Sequence, residues 1–413
     1  RFESTAFTLS PVQALMQLRS HLLDREIDLS AFDARFSNDE VGASAYPPAM
    51  LLKVVLLAPA SVIHTQRWVE GLQARGVELV LATQHTDASW RAPAGVRVVK
   101  LPHAGTAGYF RNVPALRRLL RDERPDLLSV HYASGYGSTA ALAGFRPWLL
   151  SVWGSDVYDF PAESRLKGWW LRRNLRRADA IASTSEAMAE QVRRLVADIG
   201  EVAITPFGVD TARFAPQPRA REGVVIGTVK TLAPKYGIDV LVRAFAQLTA
   251  DHAAGAPPLS LVIVGGGEQR AELEALCAAL GIAAQVRFTG ALLHADVPQW
   301  LNGFDVYVAV SRLDSESFGV AVLEASACGL PVVVSDAGGL PEVVVQGETG
   351  LVVPRDSVAA LARALRTLVD APDLRARLGH AGRERVLQRY EWQHSIDRML
   401  SGFEAVIARS AAA

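Results

Sequence analysis

Short runs of β-branched and aliphatic residues alternate with helix-period segments along most of the chain. In the first half, helix-period segments such as 66–75 and 113–121 separate the apolar runs. Five such runs occur there, at 53–58, 77–82, 96–100, 126–130 and 148–153. Continuous apolar runs separated by helices are typical of βαβ units, in which a parallel sheet is buried on both faces. The pattern predicts a doubly wound α/β domain.

A second series of the same kind begins after a Pro-rich, polar break at 214–222. Its predicted strands lie at 224–229, 259–264, 286–289, 306–310 and 331–335. We therefore expect two Rossmann-like domains with a ligand cleft between them, because ligands bind beyond the carboxyl ends of such strands. The predicted organisation is a short helical extension, two Rossmann-like domains and a final helix. Their predicted boundaries are 1–49, 50–215, 216–392 and 393–413.

Composition narrows the class of protein. The 413 residues include 43 Lys+Arg and 43 Asp+Glu, a formal net charge of +0, which argues against bulk nucleic-acid binding. Two cysteines, Cys277 and Cys328, are too few for a disulfide framework and favour a reducing cytosol. The longest nearly uncharged stretch, 127–145, is interrupted by glycines and does not predict a membrane span. We expect a cytoplasmic protein that is able to touch the inner face of a membrane.

The most informative segment, 314–350, contains two glutamates eight positions apart. The pattern places Glu316 in a loop before a helix predicted at 318–327, and Glu324 about two turns into that helix with its side chain tilted back toward the same end. Gly319 would allow a ligand to approach the free amides there. One carboxylate can then accept hydrogen bonds from sugar hydroxyls and the other from a ribose. The bare spacing also occurs on solvated helices, but the flanking sequences at 325–333 and 338–343 make that alternative less favoured.

Two of the five lysines of the chain, Lys230 and Lys235, fall in one turn between a strand and the helix predicted at 238–250. An ammonium group suits a diphosphate leaving group, whose developing negative charge must be stabilised. The alternative is two surface lysines on a loop. Gly227 precedes them in the same segment and is a further candidate for donor binding.

Weaker signals support a nucleotide pocket. A glycine turn that contains Gly266 follows the strand at 259–264, and Arg287 lies in the next predicted strand. Either feature also suits an ordinary tight turn or strand end. No acidic residue stands in dinucleotide-binding register, so a nicotinamide enzyme is the poorer interpretation.

Candidate acceptor-side residues follow three strands of the first domain. His64 and Thr65 open the first helix, where side-chain donors and free amides can meet a phosphate or a hydroxyl; packing at the helix start is an equal alternative for His64. His131 ends the fourth predicted strand, and Asp156 lies in a polar turn after the fifth. Asp156 is the candidate catalytic group on this side.

Segment 165–177 contains six basic residues, a Trp pair and no acidic residue. Such a composition suits a membrane surface or a polyprenyl-diphosphate acceptor. A solvated helix face with two partly buried tryptophans is the favoured alternative.

Segments 314–350 and 227–239 together resemble the donor-site signature of the retaining family 4 glycosyltransferases, which have the GT-B fold. The resemblance extends over about 50–405. It implies a hexosyltransferase that moves a sugar from a nucleotide-diphosphate sugar to an acceptor hydroxyl with retention, in polysaccharide or lipid-linked glycan synthesis. It also implies that no metal and no cofactor besides the nucleotide sugar is needed; Asp314-Ser-Glu is the nearest approach to an Asp-x-Asp motif.

The same resemblance implies that the first domain is the acceptor side, that the second binds the donor, and that the final helix returns to the first domain. It also implies roles for individual residues. Lys230 and Lys235 would hold the diphosphate and Glu324 the ribose. Glu316 and the Phe318–Gly319 amides would hold the sugar. The chain departs from the family pattern at Lys230, where an arginine is usual, and at Trp153, where a histidine is usual. Because this chain has Trp153 where the family usually has histidine, histidine-assisted chemistry at that position is in doubt.

The opening residues show a different likeness. Segments 27–40 and 45–56 resemble the N-terminal region of insertion-sequence transposases, a likeness that covers residues 1–56, and Met50 is a plausible native start. The alternative is an ordinary helical extension, and we assign the segment no activity. For the chain as a whole, the competing functions are a catalytically inactive or chimeric GT-B-like binding protein and a nucleotide-sugar 2-epimerase.

Overall fold

The computed structural model describes residues 52–218, 222–253 and 255–412. The predicted extension over 1–49 and the transposase-like segment up to its last few residues lie outside the described residues. Everything below concerns the unit Leu51–Ala413.

The N-terminal domain is built on a seven-stranded parallel sheet in the order β3-β2-β1-β4-β5-β6-β7. Its strands are β1 (Lys53–Leu57), β2 (Glu78–Thr83), β3 (Arg97–Lys100), β4 (Leu127–His131), β5 (Trp148–Val152), β6 (Ala180–Ser183) and β7 (Val202–Ile204). Its helices are α1 (Ile63–Ala74), α2 (Gly105–Arg111), α3 (Val113–Glu123), α4 (Gly135–Ala143), α5 (Asp159–Ala162), α6 (Arg165–Arg177) and α7 (Glu186–Leu195).

The C-terminal domain is built on a six-stranded parallel sheet in the order β10-β9-β8-β11-β12-β13. Its strands are β8 (Val224–Val229), β9 (Leu259–Val264), β10 (Val286–Gly290), β11 (Val306–Ala309), β12 (Val332–Ser335) and β13 (Gly350–Val353). Its helices are α8 (Ile238–Ala250), α9 (Arg270–Ala279), α10 (Val297–Leu301), α11 (Val320–Ala327), α12 (Leu340–Val343), α13 (Val358–Asp370), α14 (Pro372–Arg389) and α15 (Trp392–Ala412).

The prediction of two Rossmann-like parallel-sheet domains is confirmed. The apolar runs form strands that are covered on both faces, as in β1, where Val54, Val55, Leu56 and Leu57 are all fully buried. Three strands, β6, β7 and β13, were not predicted. They have three or four residues each. Among the described residues, no helix has the combination of length and apolar character that a bilayer span requires.

The chain passes between the domains twice, and the two passages touch. The amide of Val209 donates to the carbonyl of Tyr390 at 2.7 Å, and the amide of Trp392 donates back to the carbonyl of Val209 at 3.0 Å. Helix α15 then packs on α1 of the N-terminal domain. The ring centroids of Trp68 and Trp392 lie 5.1 Å apart, and a Cβ on Gly71 would lie 2.3 Å from Ile396 Cδ1, so a larger residue there would require the Ile396 side chain to shift.

Candidate active site

A cleft of about 600 Å³ lies between the carboxyl ends of the two sheets. This volume is in the range of small-molecule sites, and the position is the one expected of doubly wound domains. The N-terminal domain lines it with Ile63, His64, Tyr132, Trp153, Ser155 and Phe207. The C-terminal domain contributes, among others, Lys230, Lys235, Tyr236, Gly266, His294, Glu316, Phe318, Gly319 and Glu324.

Two lysines and a glutamate meet at the end of β8. Lys230 Nζ lies 2.8 Å from Glu316 Oε1, and the two side chains are only 13% and 10% exposed. Lys230 Nζ and Lys235 Nζ lie 4.9 and 5.0 Å from the ring centroid of Tyr236, within cation–π distance. The fold therefore directs two ammonium groups to one part of the cleft.

The helix that carries Glu324 begins at the cleft. Gly319 has φ of 98°, a left-handed conformation that favours glycine, and α11 starts at the next residue. The first amides of a helix have no partner within it and carry partial positive charge, which suits an anionic ligand. Because α11 begins two residues later than predicted, Glu324 lies just over one turn into the helix rather than two.

Glu324 has a partner that the sequence analysis missed. His294 Nε2 lies 2.7 Å from Glu324 Oε1, and the Glu324 side chain is 5% exposed. His294 opens a short 3-10 turn, His294–Asp296, after β10. The turn is 30 positions from Glu324 in the chain, and no local pattern in the sequence relates the two residues.

The glycine turn after β9 supports the lysine loop. A Cβ on Gly265 would lie 1.9 Å from the carbonyl oxygen of Lys230, and the amide of Leu232 donates to the carbonyl of Gly266 at 2.9 Å. Gly266 itself lines the cleft. The glycines thus let two loops approach closely, and both Gly265 and Gly266 line the ligand space.

Two expected donor-site residues do not line the cleft. Gly227 lies within β8, and a Cβ there would lie 2.3 Å from the ring of Phe304, so this glycine makes room for core packing. Arg287 lies on β10 with its guanidinium 4.9 Å from the ring centroid of Trp300, outside the cleft. The structure places neither residue at the cleft, because both lie within their strands and the ligand space lies beyond the carboxyl ends of the sheet.

Asp156 also differs from the expectation, because its carboxylate does not reach the cleft. It is 2% exposed and accepts hydrogen bonds from the amides of Ala133 at 2.8 Å, Trp153 at 3.1 Å and Gly154 at 2.9 Å. Burial raises the pKa of this carboxyl. The residue joins two loops that present Tyr132 and Trp153 to the cleft, and Tyr132 is held there at φ of 72°.

The two candidate histidines are neutral and packed among rings. His64 lines the cleft and stacks on Phe207 with centroids 4.2 Å apart. His131 is 2% exposed and lies 4.5 Å from the Trp153 ring, so it is below the cleft surface. Burial is the main reason that the pKa of each histidine is lowered to about 3. The positive charge of Arg67 also lowers the pKa of His64, and His64 also lowers the pKa of His131. Thr65 is fully buried and does not reach the cleft.

The loop around Ser317 is tied to the N-terminal domain. The Ser317 hydroxyl donates to the carbonyl of Trp153 at 3.1 Å, and the Ser317 carbonyl accepts from the Ser185 hydroxyl at 2.6 Å. Nearby, the Glu342 carboxylate accepts hydrogen bonds from the amides of Glu186, at 2.9 Å, and Ala187, at the start of α7. The loop that contains Glu316 therefore depends on both domains for its position.

Comparisons with known proteins agree with this geometry. The family model described as Glycosyl transferases group 1 matches residues 210–385, and the model described as Glycosyl transferase 4-like matches residues 53–185. A GDP-mannose-dependent alpha-(1-6)-phosphatidylinositol monomannoside mannosyltransferase of Mycolicibacterium smegmatis is 31% identical over 330 residues, which cover 73% of this chain and 82% of that protein. This chain belongs to the group 1 glycosyltransferases. The glycosyltransferase is also 38% identical over 216 residues to a D-inositol 3-phosphate glycosyltransferase of Streptomyces avermitilis, covering 49% of this chain and 46% of that protein.

Solved structures identify the fold of the glycosyltransferase as GT-B. Sucrose-phosphate synthase from Thermosynechococcus elongatus superposes with a TM-score of 0.75 at 23% identity, covering 87% of this chain and 100% of that one. HepE of Anabaena in complex with UDP and glucose superposes with a TM-score of 0.72 at 19% identity, covering 86% and 100%. At these identities the likeness concerns the fold.

Proposed function

We propose that the glycosyltransferase moves a mannosyl or related hexosyl group from a nucleotide-diphosphate sugar to a hydroxyl of a glycan or lipid-linked acceptor, with retention at the anomeric carbon. The observation that carries the proposal is the convergence of Lys230, Lys235 and the start of α11 on one cleft that also holds Glu316 and Glu324. Retention rests on the resemblance of the Glu316–Glu324 segment to retaining enzymes.

The diphosphate binds between the two lysines and the first amides of α11. When the glycosidic bond breaks, negative charge develops on the leaving phosphate oxygen, and fixed positive groups stabilise that charge most effectively in a partly dry site. Lys230 is preorganised by Glu316 and Tyr236, so little reorganisation is needed as the charge develops. The two ammonium groups supply this stabilisation without a metal ion, and activity is expected to persist in EDTA.

The two glutamates bind neutral hydroxyl groups. Glu324, 4% exposed, accepts hydrogen bonds from the ribose hydroxyls after exchanging its contact with His294. Glu316 keeps Lys230 on one oxygen and accepts from a sugar hydroxyl on the other, beside the Phe318–Gly319 amides. Because charged hydrogen bonds in a site of low polarity contribute more than neutral ones, both residues favour a hydroxyl-rich ligand.

The aromatic wall of the N-terminal domain receives the acceptor. Trp153, Phe207 and Tyr132 offer flat apolar faces, and His64 offers the uncharged edge of an imidazole. The named relatives transfer to inositol-containing acceptors, one of them a phosphatidylinositol mannoside. A lipid-linked or inositol-containing glycan is therefore the first acceptor class to test, with GDP-mannose as the first donor.

Calorimetric titration of the full chain with GDP, UDP and ADP tests the donor site. One nucleotide should bind, and Glu324→Ala should weaken it roughly ten- to hundredfold, since charged hydrogen bonds contribute about 1.5–3 kcal/mol. The exposed Glu348→Ala is the matched control and should leave the affinity unchanged. The proposal fails if a folded protein binds none of the nucleotides, or if both variants behave alike. Nuclear magnetic resonance of the product's anomeric proton then tests retention, and an inverted anomer would contradict it.

A further inference from the structure

One exposed surface of the N-terminal domain is both apolar and basic. Leu166 and Trp169 on α6 are 71% and 53% exposed, and Phe110 on α2 is 47% exposed. The Phe110 ring lies 5.6 Å from the ring of Trp170, which lies 5.8 Å from that of Trp169. We call these four residues the tryptophan patch: Phe110, Leu166, Trp169 and Trp170.

The patch is on the side of α6 that faces solvent. Gly168, Leu171 and Leu175 form the buried side of the helix and pack into the domain. Leu166, Trp169 and Trp170 recur at i, i+3 and i+4 on the other side, where a surface helix of a soluble domain usually carries polar residues. Single exposed apolar residues are ordinary, but a contiguous cluster of them marks an interaction surface.

The charged side chains of helix α6 itself all have one sign. Helix α6 contains six basic residues and no acidic one, within a chain whose formal net charge is +0. Lys167 pairs with Glu163 in the preceding turn, and Arg176 lies 3.4 Å from the exposed Asp198. The Arg173 guanidinium lies 4.8 Å from the ring centroid of Trp170. Aromatic side chains surrounded by arginines match the polar headgroups and acyl boundary of an anionic membrane.

We propose that the tryptophan patch and the basic residues of α6 dock the glycosyltransferase on an anionic lipid bilayer. Trp169 and Leu166 enter the interface, while Arg165 and Arg172 contact the headgroups. A nucleic acid would need the arginines but would gain nothing from an exposed Leu166, so the bilayer fits the whole surface better.

The patch is connected to the acceptor side of the cleft. Trp170 Nε1 donates to the Ser138 hydroxyl at 2.7 Å, and Asn174 Nδ2 donates to the carbonyl of Ala133 at 3.0 Å. Ala133 follows Tyr132, which lines the cleft. Docking would therefore bring this edge of the cleft near the headgroups. The relevance of that placement rests on the proposed lipid-linked acceptor, whereas the docking itself does not.

Flotation of the full chain with vesicles tests the proposal. The vesicles contain phosphatidylcholine alone or with about 30% phosphatidylglycerol, enough to give an anionic surface potential. The wild type should float only with the anionic vesicles, and less at high salt. Arg165→Gln with Arg172→Gln should weaken binding roughly twentyfold, since each cation contributes about fivefold at such a surface. Leu166→Ser with Trp169→Ser should weaken it at least about tenfold through lost apolar contact.

The matched control removes one exposed apolar residue and one exposed arginine from the C-terminal domain, Leu280→Ser with Arg377→Gln. It should bind vesicles like the wild type. Absence of wild-type flotation, equal binding to neutral vesicles, or equal loss in the control would overturn the proposal. Evidence that the surface binds polyanions in general would also overturn the proposal. That evidence would be binding of single-stranded RNA that depends on the arginines, together with vesicle binding that does not change when Trp169 is replaced.

Nucleotide titration of the same samples separates this proposal from the proposed function. Both patch variants should bind the nucleotide with wild-type affinity and keep the wild-type circular dichroism spectrum, because Arg165, Leu166 and Trp169 are exposed, Arg172 is half-buried, and none of them lines the cleft. Vesicle binding by a wild type that binds no nucleotide would overturn the proposed function and leave the docking surface standing. Loss of nucleotide affinity in the patch variants would show that they disturb the fold. Vesicle binding would then be measured with the single variant Leu166→Ser. An unchanged affinity of that variant for anionic vesicles would overturn the proposal.

Discussion

The C-terminal and N-terminal walls of the cleft differ in the chemistry of the groups that they present to a ligand. The C-terminal wall presents polar groups that already have partners: Lys230 is ion-paired with Glu316, and His294 is hydrogen-bonded to Glu324. The N-terminal wall presents aromatic rings and the uncharged imidazole of His64, and the buried carboxylate of Asp156 binds backbone amides beneath the surface. The C-terminal wall therefore binds a charged ligand by exchanging polar partners, whereas the N-terminal wall contributes complementary shape.

This contrast has an energetic reason. A buried charge without a partner is costly, and the largely buried ammonium group of Lys230 is accordingly paired with Glu316 while the cleft is empty. A wall that binds a neutral acceptor needs only stable loops and flat surfaces. The predictions below test whether the two walls can be damaged independently.

The largest effect is expected on the charged wall. Lys230→Ala should lower kcat/KM by roughly 10²–10³, because an ammonium that stabilises developing charge contributes most in the transition state. Steady-state kinetics with the nucleotide sugar measures the loss. Lys100→Ala, on an exposed edge strand, is the control and should keep wild-type kinetics. A change below about threefold in Lys230→Ala would mean that the diphosphate is held elsewhere.

Damage to the opposite wall should appear first as lost stability. Asp156→Asn replaces one acceptor oxygen with an amide group that faces backbone N–H donors, and should lower the free energy of unfolding by about 2–3 kcal/mol. Urea unfolding at neutral pH measures this. The exposed Asp159→Asn should change it by less than about 0.5 kcal/mol. Nucleotide affinity of the folded variant should persist, and its parallel loss would show that the walls are not independent.

A smaller effect concerns pH. The folded pKa of His131 is lowered to about 3 from an ordinary 6.5, so the unfolded chain binds a proton in this window that the folded protein does not. Stability is therefore fully present above pH 6.5 and falls as the pH drops toward 3. At pH 5.5 this group costs about 1.4 kcal/mol of unfolding free energy. Comparison of urea unfolding at pH 7.5 and 5.5 should show a smaller loss for His131→Gln.

The control for this experiment is His380→Gln, which removes an exposed histidine on α14. It should keep the wild-type difference between the two pH values. An unchanged difference in His131→Gln would indicate that the imidazole titrates alike in both states.

The smallest effect concerns the contact between the walls. Glu342→Ala removes the carboxylate that caps α7 across the domain interface, and should lower stability by about 0.5–1 kcal/mol, in the range of helix caps. Glu342→Gln keeps one acceptor and should lose less. Thermal unfolding with and without nucleotide measures both variants. A larger loss for the glutamine variant would contradict the capping role.

The sequence predicted the charged wall better than the aromatic one, for a physical reason. Glu316, Gly319 and Glu324 lie within nine residues, and their positions follow from one strand–loop–helix unit. The lysines likewise lie in one turn after β8. In each case the backbone between the residues is short and regular, so spacing in the chain predicts spacing in the fold.

Elsewhere, the missing information was tertiary. The contact of His294 with Glu324 needs the order of β10, β9, β8 and β11 in the sheet, which periodicity does not determine. Asp156 is expected at the cleft because it follows a strand end, but its carboxylate instead accepts hydrogen bonds from three backbone amides beneath the surface. The fold class could be predicted because it depends on runs of burial, whereas the direction of a loop side chain depends on partners distant in the chain.

The paired passages of the chain between the domains limit how the molecule can move. One passage lies between β7 and β8 and the other between α14 and α15, and they are hydrogen-bonded side by side through Val209. Two adjoining segments permit rotation about one axis and resist torsion, which a single tether would allow. Opening of the cleft should therefore separate Trp153 from Ser317 along one arc and return them to the same register in each catalytic cycle.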